Sequence, residues 1–329
     1  MSYSAVATAP TRFGDGQGST DSRTLFLKVF GGEVFAAFSE AVLTLDKHNV
    51  RTIQSGKSVQ FPKTWKATSE YHTAGQEMIG NDIDTTEVTI TVDGLLVAHV
   101  GIYDFDELMS HFEVSSQYSK ELGLAIAKTF DKNVFRTIIR AARTAADGPF
   151  PGGNAITDAA LTNSGTIDGK AWIDAIRTAN IALFNKDVPE DMPRYMAVNA
   201  AVFDAIKYAK DANGRYLAIH QELNTSPVNG GINTRNQKLI VEDVEIHRSR
   251  LMPTTNESAD TTVYSKYRAN YSTTTGVLWT PMAAGTVKLR DITMESFRDV
   301  RRQEDFMVAS MGSGSDPLRP ECAVEFKTS

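Results

Sequence analysis

The chain has 329 residues, 41% hydrophobic and 22% charged, values that exclude wholesale disorder and leave room for two or more structural units. Its 34 basic and 40 acidic residues give a net charge of −6, which disfavours a protein that grips duplex nucleic acid. A single cysteine, Cys322, rules out a disulfide framework and a thiolate zinc site.

No apolar run approaches a membrane span, and the first residues lack the charged start and apolar centre of a signal peptide. The expectation is a soluble protein made inside a cell. Residues 1–22 are small, polar and Gly-rich, and read as a mobile arm. Leu25, Val29, Val34, Phe35 and Phe38 then predict a short apolar helix, hinged at Gly31-Gly32 because each helical Gly costs about 1 kcal/mol.

Alternation takes over at 51–65. Ile53, Val59, Phe61 and Trp65 share one phase while Thr52, Gln54, Ser58, Gln60 and Thr64 share the other, which predicts a strand with one apolar face. Residues 66–84 are polar, with Gly75 and Gly80, and read as a loop. From 87 to 103 the apolar residues Val88, Ile90, Val92, Leu96, Ala98, Val100 and Ile102 all fall on even positions. Asp93-Gly94 is a hairpin signal, yet a turn there would mix Thr with apolar residues on both faces, so one long strand is expected. The two strands form a β-arm with a polar tip. Such an arm is marginal alone in water and must lie on the rest of the chain or on another subunit.

In residues 115–146, Tyr118, Leu122, Ile126, Phe130, Val134 and Ile138 keep a helical period, predicting an amphipathic helix of roughly 45–50 Å. Ser115 or Ser116 can cap its start, Arg140 and Arg143 suit its C-terminal end, and Gly148-Pro149 stops it. It is long for a globular domain, and something large must cover its apolar face. A turn-rich connector follows to 169, then a helix over 170–186, a short strand over 195–198 and a helix over 200–212. Residues 238–250 read as strand with a change of phase at Glu242-Asp243. A Thr/Ser/Asn-rich loop over 253–275 leads to a short buried strand at 277–279, completing a mixed α/β region. Residues 285–298 are a further extended stretch with a bulge expected near Arg290-Asp291, and a flexible GSGSD precedes a closing strand at 323–326.

Few motifs point to chemistry. Ser55-Gly56-Lys57-Ser58 has the end of a phosphate-binding loop, but Arg51 stands where its first Gly belongs and a strand follows instead of a helix, so a turn or bulge is expected. Gly14, Gly16 and Gly18 follow no strand and make no dinucleotide fingerprint. The acidic run Asp104-Phe105-Asp106-Glu107 suits local capping better than a metal, and the six histidines show no metal-ligand spacing. No nucleophile motif is present. The mixed-sign cluster over 288–305 suits a solvated face or complementary contacts between subunits.

Five stretches carry a resemblance. LFLKVFGGEVFAAF (25–38), SGKSVQFP (55–62), ITVDGLLVAHVGIYD (90–104), GTVKLRDI (285–292) and LRPE (318–321) resemble, in the same order, the major capsid proteins of short-tailed podophages of the T-seven group. The resemblance implies an α+β chain with the Hong Kong-97-like capsid fold. Residues 1–50 would be the N-terminal arm, 51–103 the E-loop β-hairpin, and 104–147 the part of the P-domain that includes the long spine helix. Residues 148–284 would be the mixed α/β A-domain, and 285–329 the P-domain strands and C-terminus.

It further implies a structural protein rather than an enzyme, with no catalytic residue, cofactor or metal. Copies would self-assemble through pentamers and hexamers into an icosahedral head around double-stranded DNA, without sequence-specific binding or a membrane. The partners would be the chain itself, a scaffolding protein and a portal protein. The head would be assembled in the host bacterial cytoplasm and the chain would reside in the virion. The E-loop would lie over a neighbour's P-domain, making Lys57, Phe61, Lys63 and Trp65 candidate donors of that contact and Arg290, Asp291, Glu295 and Arg298 candidate partners. Two alternatives stand beside this reading. A minor head or decoration protein would not need the complete arm, spine helix and long strand, and a cytosolic α/β enzyme would need the motifs that are missing.

Overall fold

The structure, a computed structural model, describes residues 43–67, 69–77, 80, 82–103, 115–210 and 239–329. The expected helix hinged at Gly31-Gly32, the glycines at 14, 16 and 18, the acidic run 104–107 and the end of the helix expected over 200–212 lie outside them. The described elements begin with β1 (Asn49–Thr52), β2 (Ser58–Thr64), β3 (Thr85–Thr91), β4 (Leu96–Tyr103), α1 (Ser115–Arg143), β5 (Asn154–Thr157), α2 (Gly169–Phe184) and β6 (Arg194–Val198). They continue with α3 (Ala200–Lys207), β7 (Leu239–Val241), β8 (Val244–Arg248), β9 (Thr274–Trp279), β10 (Ala284–Asp299), β11 (Glu304–Pro317) and β12 (Ala323–Lys327). Two compact units emerge, one containing Asp93–Phe130 and Lys288–Ser313, the other Leu43–Val92, Asp131–Val287 and Gly314–Ser329.

The larger unit is built on a six-stranded sheet in the order β5-β12-β9-β6-β8-β7. Its central strands are buried on both faces: Met196, Ala197, Val198, Val277, Leu278, Trp279, Val324 and Phe326 are all inaccessible to solvent. Asp168 caps α2 by accepting from the Lys170 N–H, and the helix buries Trp172, Ile173, Ile176, Ala179 and Leu183. The Trp172 ring meets Phe326, and Phe135 of α1 meets Trp279 edge-on at 5.9 Å. Trp279 turns its indole N–H onto the Lys47 carbonyl at 2.9 Å, so its burial leaves no orphaned donor.

The second half of α1 departs from a simple amphipathic helix. Val134, Phe135, Ile138 and Ile139 are buried as the spacing predicts, but so are Asp131, Arg136 and Thr137 on other sides. Each polar group is therefore matched. Asp131 accepts from the Thr44 hydroxyl and from the backbone N–H groups of Leu43 and Thr44, while burial pushes its carboxyl above the ordinary range. Arg136 donates to Glu257 at 2.8 Å and to Asn133 at 2.8 Å. Arg143, in the last turn, forks onto Glu325 through Nε at 2.8 Å and Nη2 at 2.6 Å, and gives Nη1 to the Asn270 carbonyl. Glu325 lies in β12, is wholly buried, and also accepts from Thr274.

Several expectations are corrected. The strand expected over 87–103 is two strands: β3 pairs with β2 and β4 pairs with β11, with the break at Asp93-Gly94. The even phase survives the break, since Ile90 and Ile102 are both buried, which is why periodicity alone read one strand. GSGSD is not flexible but the end of β11, where a Cβ on Gly314 would collide with the Thr91 carbonyl oxygen. The connector 148–169 hides β5, parallel to β12. The phase change at Glu242-Asp243 is the two-residue turn of a β7–β8 hairpin, with φ of 50° and 61°. The turn expected at 55–58 is present, with Gly56 at φ 110°.

In the smaller unit β4 and β11 are antiparallel from Leu96↔Met311 to Tyr103↔Glu304. Ile102, Ala309 and Met311 face inward and are buried, as are Ile126 and Phe130 of α1. Within this unit β11 lies between β10 and β4.

Two outcomes follow from the buried polar groups. Arg143→Ala strands the Glu325 carboxylate, with only Lys327 and Thr274 beside it, and is expected to lower stability by about 3 kcal/mol, read from the urea midpoint of the unassembled chain. Burial pushes the Cys322 thiol from about 9 up to about 11. Between those pH values the unfolded thiol ionises while the folded one keeps its proton, so its contribution to stability, complete below pH 9, is lost as pH rises toward 11. Melts at pH 8 and pH 10.5 should show a larger loss for the wild type than for Cys322→Ala.

Candidate intersubunit surfaces

The arm is a two-stranded sheet, β2 on β3, in register from Ser58↔Thr91 to Thr64↔Thr85 and extended by the Trp65 N–H onto the Asp84 carbonyl. It does not stand alone. Val59, Phe61, Val88 and Val92, with Ile53, pack on a buried cluster of Ile90, Val287 and Leu318. Gly285 makes that approach possible, since a Cβ there would stand 2.7 Å from Leu318 and 2.9 Å from Ile90. Val59 and Phe61 come from SGKSVQFP, Ile90 and Val92 from ITVDGLLVAHVGIYD, Gly285 and Val287 from GTVKLRDI, and Leu318 from LRPE. Four of the five stretches that carry the resemblance thus meet at the arm root.

This placement sorts the first four candidate residues. Lys57 is exposed at the turn before β2, and its carbonyl accepts from the Val92 N–H. Phe61 is half-buried on the root cluster, under the Arg51 guanidinium. Trp65 meets Phe150 edge-on at 5.6 Å. Lys63 is buried, its Nζ 4.3 Å from the Phe150 ring centroid and 3.6 Å from Glu321. Three of the four are therefore engaged within their own chain. Lys63 shares the apolar phase of β2 with Val59, Phe61 and Trp65, and that phase signals its burial.

The arm tip is different in character. Its described residues from Lys66 to Asp84 are exposed, and Tyr71 has essentially its full surface in water. Lys66 pairs with Asp187 at 2.6 Å, tying the start of the tip to the loop after α2. Behind it lies a cleft of about 280 Å³, lined mainly by Trp65, Val188, Pro189, Met192 and Met282, with Glu321 and Cys322 at its wall. Lys186, also on this wall, donates to the Gly152 and Gly153 carbonyls, and burial holds its ammonium below the ordinary range.

The other four candidates lie in the hairpin of β10 and β11. Arg290 donates to Glu295 at 2.6 Å, Asp291 pairs with Lys288 at 3.5 Å, and Arg298 is exposed near the turn. Arg290 and Glu295 are 45% and 72% exposed, so their pair contributes at most about 1 kcal/mol to the chain itself. Apolar groups stand out among these charges: Phe297 is 58% exposed and Val300 69%. Phe297 packs on Phe306, which stacks on His99. Sequence reading missed both this aromatic row and Glu321, because neither has a local spacing that sets it apart.

Among the described residues no group of His, Cys, Asp or Glu could hold a metal ion, and no helix is long and apolar enough to cross a membrane.

Comparison with known proteins agrees with this architecture. The Gp10A-like family, described as major capsid protein, matches residues 60–327. The major capsid protein of Escherichia phage T7 is 31% identical over 97% of this chain and 97% of its own length. That of Enterobacteria phage T3 is 30% identical over 95% and 94%. A chain in the capsid structure of the cyanophage P-SCSP1u superposes with a TM-score of 0.74 at 35% identity, covering 97% of this chain and 98% of that one. The fold is thus the Hong Kong-97-like capsid fold, in α+β form. With most of the arm, the long helix and the β10–β11 hairpin inside the matched region, this chain belongs to the Gp10A-like family of phage major capsid proteins.

Proposed function

We infer that the chain is the shell-building subunit of a phage head, a structural protein and not an enzyme. One observation carries this: the family match runs from the arm to the last strand, and the matched stretches converge on the root of an arm whose described tip residues are exposed, tied back only at its ends through Lys66–Asp187 and the Asp84 carbonyl. A protein that worked as a monomer would gain nothing from holding out such a tip. A subunit whose neighbours surround it gains a contact that forms only on assembly.

Pentamers and hexamers of identical copies would close into an icosahedral head by heterologous contacts, patch against different patch. In this reading the arm tip of one copy contacts the neighbouring copy, and Lys57, exposed at the other end of β2, offers a second point of contact. Phe61, Lys63 and Trp65 serve by holding the root rigid. Arg290, Asp291, Glu295 and Arg298 offer the opposing surface, where intrachain pairs can exchange for intersubunit ones at small cost. The division into N-terminal arm, E-loop, P-domain and A-domain at 50, 103, 147 and 284 belongs to the same proposal. So do a scaffolding protein, a portal protein and assembly in the bacterial cytoplasm. The acidic net charge suits a wall that encloses double-stranded DNA without gripping it.

Negative-stain electron microscopy of the expressed chain, with and without its scaffolding protein, tests the reading. Closed shells, tubes or hexamer sheets are expected; dispersed monomers in both arms would sink it. Arg290→Glu should leave the urea midpoint of the unassembled chain within about 0.5 kcal/mol of wild type, because the residue is exposed. It should nevertheless reduce shell yield in sedimentation. A normal yield would remove that face from the interface.

A further inference from the structure

Among the described residues, Glu321 is a buried carboxylate at the arm root that accepts no hydrogen bond. Its side chain is 4% exposed, and neither oxygen accepts a hydrogen bond. Lys63 and Arg319 stand 3.6 Å away, close enough to balance charge but too far for a good hydrogen bond. An unmet buried carboxylate oxygen is costly unless a donor reaches it. Glu321 lines the apolar cleft behind Lys66 with both oxygens just beneath its surface, so a donor entering the cleft reaches them with a small shift of the wall side chains. At about 280 Å³ the cleft falls below the range for drug-sized ligands and suits one inserted side chain.

The complementary group is on the same chain. Tyr71 is the most exposed large hydrophobic among the described residues, combining a ring that seeks burial with an O–H that seeks an acceptor. Charge agrees with this match. Between Ser69 and Asp84 the tip carries Glu70, Glu77, Asp82 and Asp84 and no Lys or Arg, whereas the cleft sets the cations Lys66, Lys186 and Arg319 against the carboxylates Asp187 and Glu321. Every copy thus presents one Tyr71 and one cleft, two different patches on one molecule, which is the arrangement that generates rings.

We propose that the cleft beside Glu321 receives Tyr71 from the arm of a second copy of this chain. The ring lies among Trp65, Val188, Pro189, Met192 and Met282, and the phenol donates to Glu321. The proposal rests on the shell reading above and names the residues that lock one subunit to the next.

Tyr71→benzoylphenylalanine in the full chain, irradiated after assembly with scaffolding protein, tests it directly. The expected result is a ladder of cross-linked oligomers whose fused peptides contain Met192 or Met282 of another copy. Tyr71→Ala should raise the concentration needed for assembly at least about ten-fold, and Tyr71→Phe, which keeps the ring, should raise it less. Shells that form normally but cross-link position 71 to other segments would overturn this contact and leave the shell reading standing. Equal thresholds for wild type and Tyr71→Ala would do the same. A wild-type chain that stays monomeric would overturn both, because no second copy would then reach the cleft.

Discussion

The constraint on which the larger unit depends is the enclosure of the second half of α1 on nearly every side. An amphipathic helix leaves its polar stripe in water, but here Asp131, Arg136 and Thr137 are buried along with Val134, Phe135, Ile138 and Ile139. Each buried charge then requires a fixed partner from a distant segment. Thr44 comes from before β1, Glu257 from the loop before β9, and Glu325 from the last strand. The helix therefore acts as a clamp, gathering segments 87 to 182 residues away in sequence. The Arg143–Glu325 fork is the most demanding of these, because Glu325 lies inside the sheet with no access to water.

Rigidity at the helix and sheet gives the arm a firm base. A two-stranded sheet has too little apolar surface to hold itself, and this one is held by a cluster drawn from four separated stretches. Gly285 contributes by having no side chain, so that Leu318 and Ile90 can close over it. Beyond the root the chain makes few internal contacts, and its tip carries acidic groups and an open Tyr71. A well-fixed root with a bare tip suits an element whose remaining contacts come from neighbours.

Charge is used in two ways in this molecule. Buried pairs such as Arg136–Glu257 and Arg143–Glu325 specify which segments meet, and losing one partner is costly. Exposed pairs in the β10–β11 hairpin, such as Arg290–Glu295, contribute little to the fold and can be exchanged. The second kind suits a surface whose partners change during assembly.

Much of this was legible in the sequence. The helical period over 115–146 located α1, and the parity of Val59, Phe61, Val88 and Ile90 located the arm and its inward face. The family resemblance rested on stretches that pack on one another, so it carried the fold with it. By itself the sequence determined which residues are apolar, at what period, and where turns are permitted. Only the tertiary structure decided that one even-numbered phase serves two sheets, because a break at Asp93-Gly94 preserves parity. Likewise it made GSGSD a strand, since the arm's backbone presses against Gly314 and leaves no room for a side chain. It also decided that Lys63 is buried while Tyr71 is bare, and that Glu321 finds no donor among the described residues. Those properties depend on what lies across from a residue, and residues far apart in the chain leave no local pattern that reports their meeting.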